Sequence, residues 1–297
     1  MSVEQRLDEI CARVTELTTM PNVYFRVREV IADSDSSASS LAEVLSTDPA
    51  MTSSVLRVAN SALYSLPRKV EHMVQAISLL GMQAVHDMAL VSALGATFSR
   101  WTVDALDMER FWRRSVCAAL AAKAIAVRLG QPHIERHFVD GLLHEVGHIA
   151  LGQVVPEELQ QVLSRVELES NLLARTEQEA LGFDYARLGA RLLERWNLPE
   201  SIVRAVRNQV CPDPEDPQAL AAAIVHVARE VACAVVAEQS MSARYAEIPL
   251  SVLRILCLDS ADFEAVRDQV AIREAQTIRL LFPRLHNRGL GRTRARR

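Results

Sequence analysis

The sequence predicts an all-α protein, a multi-helix bundle, on three observations. Glycine and proline are scarce, 10 and 11 of 297 residues, and aromatics make up only 5%. Apolar residues recur at three- and four-residue intervals in nearly every segment, the signature of a helix with one buried face. The sequence has no convincing strand alternation, no internal repeat and no glycine-rich phosphate loop.

Ile10, Val14 and Leu17 begin a helix that Pro21 interrupts, and Val23, Val27, Val30 and Ile31 continue the stripe. The polar loop "DSDSSASS" ends in Ser40, which opens a capping box, Ser40-Leu41-Ala42-Glu43. Asp48-Pro49 pairs an N-cap with a proline at the first helical position and starts a helix running to Asn60. After the turn "YSLPRK", Val70, Val74, Ile77 and Leu80 mark a helix that Gly81 stops, and another covers 83–98.

From "WTVDALDME" onward the helices lengthen. One spans 110–129 and is closed by Gly130; a second spans 138–154. Asp184, Leu188, Leu192 and Trp196 trace the next, followed by Ile202, Val206 and Val210. Beyond the loop "CPDPEDP", 219–240 and 251–258 are helical, and Asp262 caps a last helix ending at Pro283. The tail "NRGLGRTRARR" carries five arginines in the ten residues after Asn287 and reads as a frayed, solubilising terminus.

Composition narrows the function classes. Hydrophobic residues are 49% and charged residues 24%, and the net charge is −4, so no global field attracts DNA or an anionic membrane. "MSVEQRLDEICARV" carries acids and lacks the apolar core of a secretory signal. No uncharged apolar run reaches the roughly 18–20 residues of a spanning helix. The five cysteines (Cys11, Cys117, Cys211, Cys233, Cys257) are scattered and form no CxxC; most read as small buried hydrophobes, and a reducing cytoplasm is the expected location.

The stretch "GLLHEVGHIAL" contains His144-Glu145-Val146-Gly147-His148, letter for letter the H-E-x-x-H of zinc peptidases. On one continuous helix those histidines would share a face with the glutamate beside them. They are fewer ligands than a catalytic zinc takes. Leu151 and Val154 stand where an extended peptidase signature needs Gly and His. Glu167 and Glu169 lie in a stretch that reads as a solvated helix. His144 is expected to be buried and hydrogen-bonded to a neighbouring helix, and His148 to lie at the surface or a helix end. His72, His86, His133, His137 and His286 join no constellation.

A longer part of the chain is similar to a known family. The segments are "LAEVLSTDPAMTSSVLRVANSALYSLPRKV", "AISLLGMQAVHDMAL", "FWRRSVCAALAAKAIAVRLG", "FVDGLLHEVGHIAL" and "LGFDYARLGARLLERWNLPESIVRAVRNQ". Over roughly 17–209 they resemble the HDOD domain, the HD-related output domain of bacterial signalling proteins. "GLLHEVGHIAL" itself resembles the "GLLHDIGK" core of HD phosphohydrolases, which are metal-dependent. The resemblance implies an N-terminal helical module over 1–105 packed on a degenerate HD-like bundle over 106–240. A C-terminal helical extension and basic tail would fill 241–297.

The departures matter as much as the match. Where the resemblance would place metal ligands, this chain has Arg114 on the preceding helix, Glu145 for the Asp of the pair, Ala186, Asn208-Gln209 and, three residues after His226, Arg229. Only His144, Glu145 and His226 keep donor side chains, so no metal and no cofactor are expected. Arg114 or Arg229 is expected to pair with Glu145. The vestigial site is therefore His144, Glu145, Arg114, His226 and Arg229. The candidate surface for a partner or an anion is Arg57, Asn60, Arg68 and Lys69, in the segment most characteristic of the family. The resemblance implies a non-catalytic, cytoplasmic signalling protein acting on one or more protein partners. Two alternatives stand beside it: a residual phosphohydrolase on a cyclic dinucleotide or other phosphoester, and a non-hydrolytic nucleotide sensor.

Overall fold

The computed structural model describes residues 2–17, 22–33, 35–61, 64, 66, 68–98, 102–168 and 170–282, and every regular element among them is an α-helix. In chain order these are α1 (Val3–Leu17), α2 (Asn22–Ala32), α3 (Ala38–Ser46), α4 (Pro49–Ala59), α5 (Met73–Leu80), α6 (Met82–Phe98), α7 (Met108–Arg128) and α8 (Ile134–Leu143). There follow α9 (Val146–Val154), α10 (Pro156–Leu163), α11 (Leu173–Leu181), α12 (Tyr185–Arg195), α13 (Glu200–Asn208), α14 (Ala219–Val236), α15 (Ser242–Tyr245), α16 (Leu250–Leu256) and α17 (Ser260–Leu281).

The chain divides into two compact units: Met1–Thr18 with Thr102–Glu274, and Thr19–Trp101 with Ala275–Arg297. This differs from a linear division at 105 and 240. Helix α1 belongs with the larger unit because Leu7, Ile10, Cys11 and Val14 are buried in it. Arg191 on α12 also grips Asp8 through two hydrogen bonds of 2.8 and 3.0 Å. Residues 241–274 join the same unit, where Phe263 and Val266 are fully buried and Arg113 forks onto Glu274.

At the centre of the larger unit α7 lies against α14. Ala118, Ala119, Ala121 and Ala122 of α7 and Ala222, Ala223, Ala228 and Ala232 of α14 are buried, and such small side chains let helices approach closely. Gly141 extends that close packing to α8: a Cβ there would sit 2.5 Å from the carbonyl oxygen of Ala118. By length and composition α14 could cross a membrane, but here 83% of it is buried inside the unit, as a core helix is.

The smaller unit packs α2 to α6 around Tyr24, Val27, Leu41, Leu45, Val55 and Leu90, all fully buried. Asp48 caps α4 by accepting from the amides of Ala50 and Met51, with Pro49 in the first turn. Gly81 ends α5 with φ +88°. Several helix boundaries fall away from the expected residue, the 219–240 helix ending at Val236 among them, and three have a visible cause. Ser37, not Ser40, caps α3, and Ser40 answers it in the box. Asp259 caps α17 by accepting from the amide of Asp262, which answers as the third residue. The third is the break at His144-Glu145, which divides the expected 138–154 helix into α8 and α9.

Candidate functional site

The break between α8 and α9 organises the site. Glu145 has φ −110° and ψ 17°, outside the helical well, so His144 and Glu145 stand at a corner and both side chains turn inward, fully buried. Gly147 fits the corner to α12: a Cβ there would meet the Tyr185 carbonyl oxygen at 2.1 Å. The H-E-x-x-H is therefore not one helical face, and its two histidines have separate surroundings.

His144 donates from Nδ1 to the carbonyl oxygen of Gly141 at 2.8 Å. The partner is the histidine's own preceding helix, not a neighbouring one. Arg114, fully buried on α7, donates from Nε (2.8 Å) and Nη2 (2.6 Å) to the same oxygen, Oε2, of Glu145. The other oxygen, Oε1, is 3.6 Å from Arg229 Nε and 3.6 Å from His144 Nε2. Burial alone would push the Glu145 carboxyl up, but Arg114, then His144, hold it well below the usual carboxylate range. Glu145 is a carboxylate clamped between two guanidiniums.

Both Nη groups of Arg229 are taken up by protein acceptors. Nη1 donates to Glu230 Oε1 (2.6 Å) and Asn171 Oδ1 (3.3 Å), and Nη2 to the carbonyls of Leu168 (3.3 Å) and Ser170 (3.1 Å). Arg244 completes the chain at Glu230 Oε2, 2.8 Å away. His226 donates from Nδ1 to the Gln209 carbonyl at 2.8 Å, and burial lowers its pKa below the ordinary imidazole value. The Gln209 side chain donates to the carbonyls of His144 (2.7 Å) and Val206 (2.9 Å), tying α13 to the corner. Ala186, where the HD resemblance led a ligand to be expected, is fully buried and apolar.

His148 lies in the first turn of α9, a helix end as expected, but not at the surface. It is fully buried, its Nε2 lies 2.9 Å from Glu177 Oε1, and its ring stacks on Tyr185 with centroids 4.5 Å apart. Glu177 also accepts from the Tyr185 amide at 2.7 Å, so one carboxylate joins α9, α11 and α12. Glu177 was missed in the sequence, although it interrupts the apolar stripe Leu173–Leu181 at the midpoint, four residues from each. Two other histidines are paired as well. His86 Nδ1 lies 2.8 Å from Asp87 Oδ1 in the smaller unit, and His137 Nδ1 lies 3.4 Å from Asp140 Oδ2 in the larger, all four buried.

In the smaller unit Arg57, Arg68 and Lys69 are exposed, as an interaction surface requires. Asn60 is different. It caps the C-terminus of α4, and its amide donates to the Val70 carbonyl (2.8 Å) while accepting from the Val70 amide (2.7 Å). Its polar atoms fasten the turn and are spent on the backbone. Glu169 and the tail from Pro283 onward lie outside the described residues.

No three His, Cys, Asp or Glu side chains among the described residues are grouped to hold a metal ion. The donor set at Glu145 does not suit one either, because a divalent cation there would face two guanidinium charges.

The family model of the HDOD domain matches residues 17–212. The chain belongs to the HDOD family. This HDOD chain superposes on an HDOD domain protein with unknown function from Geobacter sulfurreducens with a TM-score of 0.66 and 22% identity, covering 96% of this chain and 99% of that one. It is also similar to a provisionally named phosphohydrolase from Shewanella amazonensis, TM-score 0.68 and 24% identity, covering 94% and 96%. A provisionally named signal transduction protein from Marinobacter aquaeolei gives 0.68 at 21%, covering 94% of this chain and 65% of that one. At these identities the likeness is one of fold. An uncharacterized protein of Treponema pallidum is 24% identical over 200 residues, which are 67% of the HDOD chain and 38% of that longer relative.

Proposed function

We propose that this protein is a non-catalytic signal-output module of a bacterial cytoplasm that works through contacts with other proteins. The observation that carries the reading is the clamp on Glu145. Arg114 occupies one carboxylate oxygen and Arg229 faces the other, so the atoms an HD hydrolase would offer to metal are held by cations. The nucleotide-sensor alternative gains little from those arginines, since both Nη groups of Arg229 are donated to protein acceptors. A scaffold needs surface instead, and the family's most characteristic segment leaves Arg57, Arg68 and Lys69 exposed.

The test compares biological output in the native host. Arg57→Glu or Arg68→Glu is expected to abolish output without unfolding the chain, because surface substitutions shift stability by under about 0.5 kcal/mol. His144→Ala, in a variant that still folds, is expected to leave output intact. Loss of output in folded His144→Ala, with the charge reversals silent, would move the function back to the buried site and favour a phosphohydrolase.

A further inference from the structure

A cavity of about 210 Å³ in the larger unit is bordered by Asn171, Tyr185, Gln209, His226, Arg229 and Glu247. Its polar atoms can be assigned one at a time. Arg229 brings charge but no spare Nη donor, as its bonds to Glu230, Asn171, Leu168 and Ser170 show. Glu230 is taken up on both oxygens, by Arg229 and Arg244. Asn171 accepts from Arg229 and donates to Glu247.

Arg229 Nε is turned to Glu145, 3.6 Å away, and the Tyr185 hydroxyl can donate or accept; the other remaining capacity is acceptor capacity. Gln209 is 1% exposed, and because its NH₂ donates to two carbonyls, Oε1 is fixed as an acceptor with no hydrogen-bond partner among the described residues. His226 uses Nδ1–H on the Gln209 carbonyl, so Nε2 is a lone pair on a ring that burial keeps neutral. Glu247 adds a carboxylate at an exposed position on the border. Ala174, Val210 and Pro249 supply apolar wall. Leu172 and Leu250, next in sequence to lining residues, are 61% and 71% exposed.

We propose that this cavity is a socket for the guanidinium of an arginine side chain on a partner protein. A guanidinium has five N–H donors and no acceptor, which complements a set of acceptors. Its weak hydration and planar fork suit partial burial against several acceptors better than a compact ammonium does, and the aliphatic stem would lie on the apolar wall. Phosphate, an acceptor-only anion, would meet two lone pairs and a carboxylate. The exposed leucines give the partner's flanking residues an apolar surface to cover.

The socket names a partner's chemistry and so rests on the interaction reading above. A failed titration would remove the socket alone, whereas silent charge reversals at Arg57 and Arg68 would remove that reading. The experiment titrates the full chain with Nα-acetyl-arginine methylamide, followed by NMR of the Tyr185 and His226 rings. Saturable binding is expected, with Glu247→Lys weakening it by about 10-fold or more through loss of a charge-assisted contact. Glu247 is exposed, so that variant should keep the wild-type fold. Three results would overturn the proposal: no saturation, unchanged affinity in folded Glu247→Lys, or adenosine monophosphate shifting the same rings at lower concentration. Equal binding of Nα-acetyl-lysine methylamide would overturn the choice of a guanidinium.

Discussion

Glu145 is a side chain whose worth depends on its company. Buried ion pairs contribute little net stability, yet removing one partner strands a charge that protein cannot solvate. Glu145→Ala is expected to cost about 3–5 kcal/mol by denaturant unfolding, because it strands Arg114. Replacing both, as Arg114→Met with Glu145→Leu, is expected to recover most of that loss. The same site predicts an acid profile. Glu145 and His226 both have folded-state pKa values below their unfolded ones, so the unfolded chain takes up protons first. Stability is full above the unfolded values and is lost as pH falls towards the folded ones. His226 acts first, below about 6.5, and Glu145 adds a steeper loss below about 4.5. Urea midpoints between pH 7.5 and 4 would show this, and His226→Gln should flatten the upper part of the curve. Sequence alone reached the Arg114–Glu145 pairing because two cations stood where ligands were expected. It did not reach His148, since the partner that keeps it buried, Glu177, lies 29 residues away on another helix.

At the scale of elements, local chemistry set most helix ends and tertiary packing set the exceptions. Asp48-Pro49 and Gly81 act within a few residues of themselves, so their boundaries were legible. The corner at His144-Glu145 was not, because its flanks, Leu142-Leu143 and Val146, favour continuation. It is held by distant groups: Arg114, the Gln209 amide and the α12 backbone against Gly147. Gly147→Ala is therefore expected to destabilise by about 1–3 kcal/mol, since backbone rather than a yielding side chain blocks the added methyl. Thermal unfolding would read the loss, and Gly130→Ala, where φ is +61° but space is open, should cost less. Asn60→Ala should release Val70 from the end of α4, seen as faster amide exchange at Val70.

For the whole molecule, the all-α class was legible from composition and periodicity, and the family from its N-terminal segment. The division into units was not. Helix α1 joins the larger unit through partners beyond residue 150, among them Asp8 with Arg191, which no local pattern announces. Metal analysis after purification without chelators is expected to find zinc, iron and manganese well below one per chain. A stoichiometric ion lost in His144→Ala would contradict the clamp as the resting arrangement.

The burial of α14 has a consequence during synthesis. As it leaves the ribosome, before α7 has covered it, this helix offers the insertion machinery 18 residues apolar enough for a bilayer. Arg229 and Glu230 sit near its middle, and an arginine at that depth costs about 2.5–3.5 kcal/mol on insertion scales. On those scales the pair that fastens the folded core also opposes insertion of the nascent helix. Arg229→Leu with Glu230→Leu is expected to divert newly made protein to the membrane fraction, while Glu145→Ala, equally disruptive to the core but outside α14, should yield aggregate or degraded protein instead.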